Sequence, residues 1–252
     1  MTELSDSELD RYARQIILPD FGGIGQRRLK ASKVVLIGAG GVGSTVIPAL
    51  AAAGVGTLRI VDGDDVDATN LHRQPIFRDE HVGQAKAALA ADFATNLNPH
   101  VAANGVSERL TVDNACDLIG GFDLIVDGSD NFATRLAVSD ASTRLHIPLV
   151  SAAAVQWQAQ VGLFHGWDAD QPCYRCFVGD AFDADDCDNC AEQGVIGPLP
   201  AVAGALAATM TISWLAQVGD DPAGSLHLFD ARAIHWRKIR LIKDPACRVC
   251  GN

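Results

Sequence analysis

The chain has 252 residues, 48% of them hydrophobic, and a formal net charge of −11 from 20 basic and 31 acidic side chains. That length suits one large α/β domain with a well-buried core. The acidic balance argues against nucleic-acid or anionic-membrane binding through bulk electrostatics, while leaving room for a local basic pocket.

The first six residues, Met1 to Asp6, have neither a basic n-region nor an apolar h-region, so the expected location is cytoplasmic. Ser5-Asp6-Ser7-Glu8 has capping-box spacing and predicts a helix as far as Leu18, where Pro19 stops it. A short helix is expected over residues 26–30. Lys33–Ile37 (KVVLI) reads as a buried strand, followed by a glycine turn and a small-residue helix over Gly43–Ala53. Thr57–Val61 (TLRIV) is a second strand, and residues 84–97 are helical. Residues 123–126 form another strand, Phe132–Leu145 another helix, and residues 148–151 another strand. This alternation predicts a Rossmann-like, doubly wound α/β fold with a mostly parallel sheet.

The pattern changes after Ala154. Residues 155–165 and 226–241 read as longer, partly alternating strands, expected to be antiparallel. Residues 180–197, rich in Asp, Cys and Gly, are expected to form a mobile loop. The most apolar stretch is 197–218, borderline for a membrane span of roughly 20 apolar residues. Pro198, Pro200, Gly204, Thr209, Thr211, Ser213 and Gln217 interrupt it. A helix buried in the core or at a dimer interface fits better.

Gly38-Ala39-Gly40-Gly41-Val42-Gly43 fits G-x-G-x-x-G directly after a strand and before a helix. Such glycines let the backbone approach a phosphate seated on the helix N-terminus. Asp62, at the end of the next strand, is placed to accept a hydrogen bond from a ribose hydroxyl. The loop alone does not choose between NAD and ATP. Asn70-Leu71-His72-Arg73-Gln74 follows the second strand, Lys86 opens the next helix, and Asp127, Asp130 and Asn131 end the strand over 123–126. Two cations and an acid converging there suit a triphosphate: Arg73 and Lys86 neutralise charge as pyrophosphate leaves, and Asp130 holds a magnesium ion. Taken singly, Lys86 reads as a solvated helix residue, Arg73 as half of a surface ion pair and Asp127 as a helix cap.

Of the seven cysteines, all but Cys116 form C-x-x-C pairs: Cys173/Cys176, Cys187/Cys190 and Cys247/Cys250. In an unexported chain such pairs read as metal ligands or redox thiols. Two of them would give zinc its four thiolates. Cys116 reads as a core residue.

In this order, these landmarks resemble the ubiquitin-activating-enzyme-like adenylyltransferases of molybdopterin and thiamine synthesis, the MoeB/ThiF/HesA family. The resemblance rests on Arg11-Tyr12-Ala13-Arg14-Gln15-Ile16, Gly38 to Gly43, Asn70 to Gln74, Asp127 with Asp130-Asn131, Cys173-Tyr174-Arg175-Cys176 and Cys247-Arg248-Val249-Cys250-Gly251. It covers nearly the whole chain.

The resemblance implies ATP-dependent adenylylation of the C-terminal Gly-Gly carboxylate of a ubiquitin-like sulfur-carrier protein. ATP contacts are then expected from Gly41, Asp62, Asn70, Arg73 and Lys86, with Asp130 near Mg2+. A homodimer is implied in which Arg14 reaches the partner's nucleotide. Zn2+ is expected on Cys173, Cys176, Cys247 and Cys250. Cys190 sits where thiamine-pathway relatives carry a cysteine that bonds to the carrier, although Asp185, Asp186 and Asp188 disfavour a thiolate there. His72 departs from the Gln that members of the family carry there, and tuning rather than loss is expected. The organisation expected is a single adenylation domain, with N-terminal helices over 1–32, a nucleotide-binding part over 33–154 and a carrier-binding and zinc part over 155–252. The alternatives are activation of a peptide or tRNA-bound carboxylate, or an NAD(P)-dependent oxidoreductase.

Overall fold

The computed structural model describes residues 3–179 and 194–251. Three β-strands of the first half, β1 (Lys33–Ile37), β2 (Thr57–Val61) and β4 (Leu124–Asp127), are apolar runs buried nearly throughout, as strands covered on both faces must be. They pair in parallel, with Ile37 opposite both Val61 and Asp127. With β3 (Ala102–Val106), β5 (Leu149–Val155), β6 (Gln158–Phe164), β7 (Ser225–Asp230) and β8 (His235–Arg240) they form one eight-stranded sheet, in the order β3-β2-β1-β4-β5-β6-β7-β8. The β5–β6, β6–β7 and β7–β8 pairings are antiparallel. The doubly wound half and its antiparallel extension thus follow the sequence reading.

Helices cover both faces. On one, α4 (Gly43–Ala53), α5 (Lys86–Leu97) and α9 (Leu199–Ala216) bury Val46, Leu50, Ala90 and Ala207 against Leu36, Leu58 and Val150. On the other, α6 (Ala115–Ile119), α7 (Phe132–Leu145) and α8 (Tyr174–Val178) pack over Val35, Ile125 and Leu149. Among the described residues α9 alone is long and apolar enough to cross a membrane. It lies instead against α4, β5 and β6, as a core helix. Gly204 lets it approach α4, since a Cβ there would meet Thr45 and the Val42 carbonyl at 2.8 Å.

Several elements differ from expectation. The first helix does not run unbroken to Leu18 but divides into α1 (Asp6–Arg11) and α2 (Ala13–Ile16) around Tyr12. Tyr12 is drawn into the core, where its hydroxyl accepts a 2.8 Å hydrogen bond from Asn98 Nδ2. The helix expected over 26–30 is α3 (Gly22–Ala31), which starts four residues earlier and buries Gly25, Gln26 and Leu29. β3, of sequence AANGV, carries little strand propensity and is placed by pairing with β2 and packing against α5. The long stretches over 155–165 and 226–241 belong to hairpins. Gln156, at φ +52°, turns β5 into β6, and Asp230 Oδ1 accepts from the Arg232 and Ala233 N–H groups between β7 and β8.

The predicted capping box is present: Ser5 Oγ accepts from the Glu8 N–H at 3.3 Å, and Glu8 Oε2 accepts from the Ser5 N–H at 2.8 Å. Lys30 Nζ lies 2.7 Å from the same carboxylate oxygen. Burial raises the Glu8 pKa, but the Lys30 and Ser5 hydrogen bonds outweigh it and bring the group down to about 2. A depressed carboxyl stabilises the fold above its unfolded pKa and loses that contribution as pH falls through the folded one. Glu8→Gln is therefore expected to cost about 1–3 kcal/mol at neutral pH. In urea titrations at several pH values the difference from wild type should shrink between pH 4.5 and about 2.

Candidate active site

The C-terminal ends of β1, β2 and β4 open onto a cavity of about 540 Å3, at the point where a doubly wound sheet receives its ligand. The turn from β1 into α4 forms one wall. Gly38 sits at φ +91°, and a Cβ on Gly43 would stand 2.2 Å from the Gly38 carbonyl oxygen, so neither position accepts a side chain. Gly40 opens toward the cavity, with nothing nearer to its Cβ position than 3.7 Å. The first turn of α4 therefore presents its N-terminus at a place where an anion can approach the backbone.

Asp62 ends β2 and braces this turn. Its Oδ2 accepts from the Ala39 N–H at 2.7 Å and its Oδ1 from the Asp64 N–H at 2.8 Å. Burial nonetheless pushes its carboxyl above the ordinary aspartate value. Each oxygen keeps a lone pair, and a hydroxyl donating from a ligand would favour the ionised form.

Across the cavity, Asp67 Oδ1 accepts from both the N–H (2.7 Å) and the hydroxyl (2.5 Å) of Thr69, fixing the short 3-10 turn Ala68–Asn70. Arg73 follows, and its Nη1 donates to the Thr69 carbonyl at 3.1 Å. His72 is exposed, with Nδ1 3.0 Å from the same carbonyl. Lys86, the first residue of α5, is buried, with Nζ 3.5 Å from Asp64 Oδ2. Asn70, Arg73, Lys86 and Asp130 all line the cavity, as do the loop glycines Gly38, Gly40 and Gly41. Among the described residues Asp130 has neither a hydrogen-bond nor an ion-pair partner, so its carboxylate is available to a cation.

One reading needs correction. Asp127 is not the cap of α7, because Asn131 Oδ1 takes that role from the Thr134 N–H at 2.8 Å. Asn131 does border the cavity, but its oxygen is committed to the helix. Asp127 is fully buried and instead shapes the preceding turn, accepting from the Ser129 N–H (3.0 Å) and hydroxyl (2.7 Å). Arg14 is exposed on α2 and does not border the cavity of its own chain.

Arg135, Arg109 and Gln74 also line the cavity and carried no role in the sequence reading. Arg135 is buried and donates to the Ser129 and Ala152 carbonyls and to Ser151 Oγ, which ties the Asp130 turn to β5. Arg109 pairs with Asp64 at 3.1 Å. It follows β3, whose weak strand signal hid it. Gln74 directly follows Arg73, in a motif where the neighbouring charge drew attention.

The second cluster lies beyond the sheet's antiparallel side. Cys173, Cys176, Cys247 and Cys250 bring their sulfurs within 4.8 Å of one another, with separations of 3.9 Å (Cys173–Cys176), 3.6 Å (Cys173–Cys247) and 3.4 Å (Cys176–Cys250). Four thiolates about 2.3 Å from one zinc ion would stand roughly 3.8 Å apart. The donor set therefore fits zinc closely. Burial raises the Cys173 thiol far above its ordinary value and Cys250 to about 11, so a bound cation is what would keep them ionised. Arg175, between the first two ligands, is clamped to Asp140 of α7 through contacts of 2.6 and 2.9 Å. Cys116 is half-buried and belongs to neither cluster. Cys187 and Cys190 lie outside the described residues, as does most of the expected loop over 180–197.

The family model described as "ThiF family" matches residues 12–249, a span that includes both the cavity and the cysteine cluster. The chain belongs to the ThiF family. It is 44% identical over 248 residues, 97% of this chain and 92% of the other, to a sulfur carrier protein adenylyltransferase of Thermus thermophilus. It is 39% identical over 252 residues, the whole of both chains, to a molybdopterin-synthase adenylyltransferase of Escherichia coli. Among solved structures, E. coli MccB crystallised with ATP superposes with a TM-score of 0.84 at 24% identity, covering 98% of this chain and 75% of that one. That likeness speaks to the fold of this ThiF-family chain alone.

Proposed function

We propose that this chain is an adenylyltransferase that activates the C-terminal carboxylate of a ubiquitin-like sulfur-carrier protein with ATP. The observation that carries the reading is the meeting, in one cavity, of an anion-receiving glycine turn, two cations (Arg73 and Lys86) and the carboxylate of Asp130, which has no partner among the described residues. Relatives of nearly equal length are named a sulfur carrier protein adenylyltransferase (44% identical) and a molybdopterin-synthase adenylyltransferase (39% identical). They lend nothing to a peptide or tRNA-bound carboxylate, or to a nicotinamide cofactor.

In this reading Gly41, Asp62 and Asn70 position the nucleotide, with Asp62 on a ribose hydroxyl. A carboxylate oxygen of the carrier forms a bond to the α-phosphorus as the bond to the bridging oxygen breaks. The acyl-adenylate and pyrophosphate result, the electron pair leaving with pyrophosphate. No side-chain base is required, because a carboxylate is already ionised near neutral pH. Arg73 and Lys86 balance the charge on the departing pyrophosphate. Asp130 would hold a Mg2+ ion, which would supply charge neutralisation on the phosphates. Cys173, Cys176, Cys247 and Cys250 would hold Zn2+ in a structural role, since four thiolates leave no open position for substrate.

We place nucleotide binding in residues 33–154 and carrier binding and zinc in 155–252. A homodimer in which Arg14 completes the partner's cavity accounts for an exposed arginine remote from its own site. Cys190 is proposed as the residue that bonds to the carrier.

ATP–pyrophosphate exchange tests the reading. Exchange is expected only with a carrier ending in Gly-Gly and not with a copy lacking the last glycine. Measurable ATP binding without exchange for any carrier would refute the proposed substrate.

A further inference from the structure

Gln74 is 3% exposed, and its Oε1 is buried without a hydrogen-bond partner among the described residues. A phosphate oxygen cannot satisfy that acceptor, but the donor end of the same amide, Nε2, likewise makes no hydrogen bond among the described residues and is free to donate to one. The residue lines the nucleotide cavity, and its Nε2 is the nearest atom to the open face of Gly40, 3.7 Å from the Cβ position. The backbone of Arg73, one residue earlier, backs the same loop, its carbonyl oxygen 3.5 Å from the Cβ position of Gly41. The amide thus stands where the glycine turn and the N-terminus of α4 receive an anion.

We infer that Gln74 is a further nucleotide-binding residue, whose side-chain Nε2–H donates to a phosphate oxygen held at the Gly40–Gly41 turn. This rests on the ATP reading of the cavity. A phosphate oxygen offers only acceptors, so it takes the amide's nitrogen end, which is the end nearest the loop. Unlike Arg73 and Lys86, this donor brings no charge. It fixes the direction of the phosphate chain without holding pyrophosphate back after it is released.

The test compares wild type with Gln74→Met, which keeps volume but has no donor, and Gln74→Glu, which places an acceptor beside the phosphates. Isothermal titration with Mg·ATP and with adenosine is read alongside thermal melting without nucleotide. Losing a hydrogen bond to a charged acceptor predicts an ATP affinity about 10–100-fold weaker in Gln74→Met, and weaker still in Gln74→Glu. Adenosine, which has no phosphate, should bind all three proteins alike. Nucleotide-free Gln74→Met should melt at or above the wild-type temperature, because an unpaired buried amide has been removed. Equal ATP affinity in wild type and Gln74→Met, or a parallel loss for adenosine and ATP, would overturn the inference. So would a lower nucleotide-free melting temperature with ATP affinity unchanged, since that is the mark of a packing residue. If wild type itself binds no ATP, the cavity reading fails first, and that outcome is distinct from each of the others.

Discussion

Asp130→Ala abolishes carrier-dependent ATP–pyrophosphate exchange, with an expected loss on the order of 10^3-fold or more, while the protein remains folded. The carboxylate lies exposed on the cavity wall and makes no hydrogen bond or ion pair among the described residues, so removing it releases no buried partner and leaves no cavity in the core. The turn that presents it is held by other groups. Asp127 accepts from Ser129, and Arg135 bridges Ser129 to β5. The effect should therefore fall on the reaction, where losing a metal's contribution of several kcal/mol translates into about three decades of rate. Exchange assays paired with circular dichroism check this. Near-normal exchange in a folded variant would show that the metal is held elsewhere. Asp127→Ala is the informative contrast, because its buried carboxylate organises the turn, and its loss should lower stability as well as activity.

Removing one of the four clustered cysteines has the second large expected effect. Cys247→Ser should abolish stoichiometric zinc binding and lower stability by several kcal/mol, and chelation of the wild type should do the same. Apparent binding free energies of structural zinc run to about 10–16 kcal/mol, and part of that is folding energy. The geometry shows where the loss would be felt. Cys173 is the N-cap of α8 and Cys176 lies within it, whereas Cys247 and Cys250 lie in the C-terminal segment after β8. The Asp244 N–H donates to Cys176 Sγ at 3.4 Å, so the C-terminal segment is organised around the sulfur cluster. Metal analysis of the purified protein, with melting before and after chelation, checks this. A four-cysteine variant that melts like the wild type would assign the cluster no structural metal.

Much of the site was legible in local sequence because its chemistry is local. The glycine turn needs φ > 0 at Gly38 and no Cβ at Gly43, and glycine alone meets both demands, so the motif announces itself. The buried strands KVVLI and TLRIV, the capping box at Ser5 and the paired cysteines have the same character: each constraint acts within a few residues. Arg73, Lys86 and Asp130 could be collected in advance because parallel strands deliver their C-terminal ends to one side of the sheet.

What the tertiary structure alone decided depends on contacts between distant segments. β3 is a strand because β2 offers an edge, not because AANGV prefers one. Tyr12 breaks the first helix because Asn98, far along the chain, gives its hydroxyl a buried partner. The choice between Asp127 and Asn131 as cap rested on side-chain geometry at a single turn, and Gln74 gained significance only once its amide nitrogen was placed beside Gly40. Spacing can bring such residues into view. Which donor meets which acceptor is decided by packing, where an unsatisfied buried group costs more than local preference can offset.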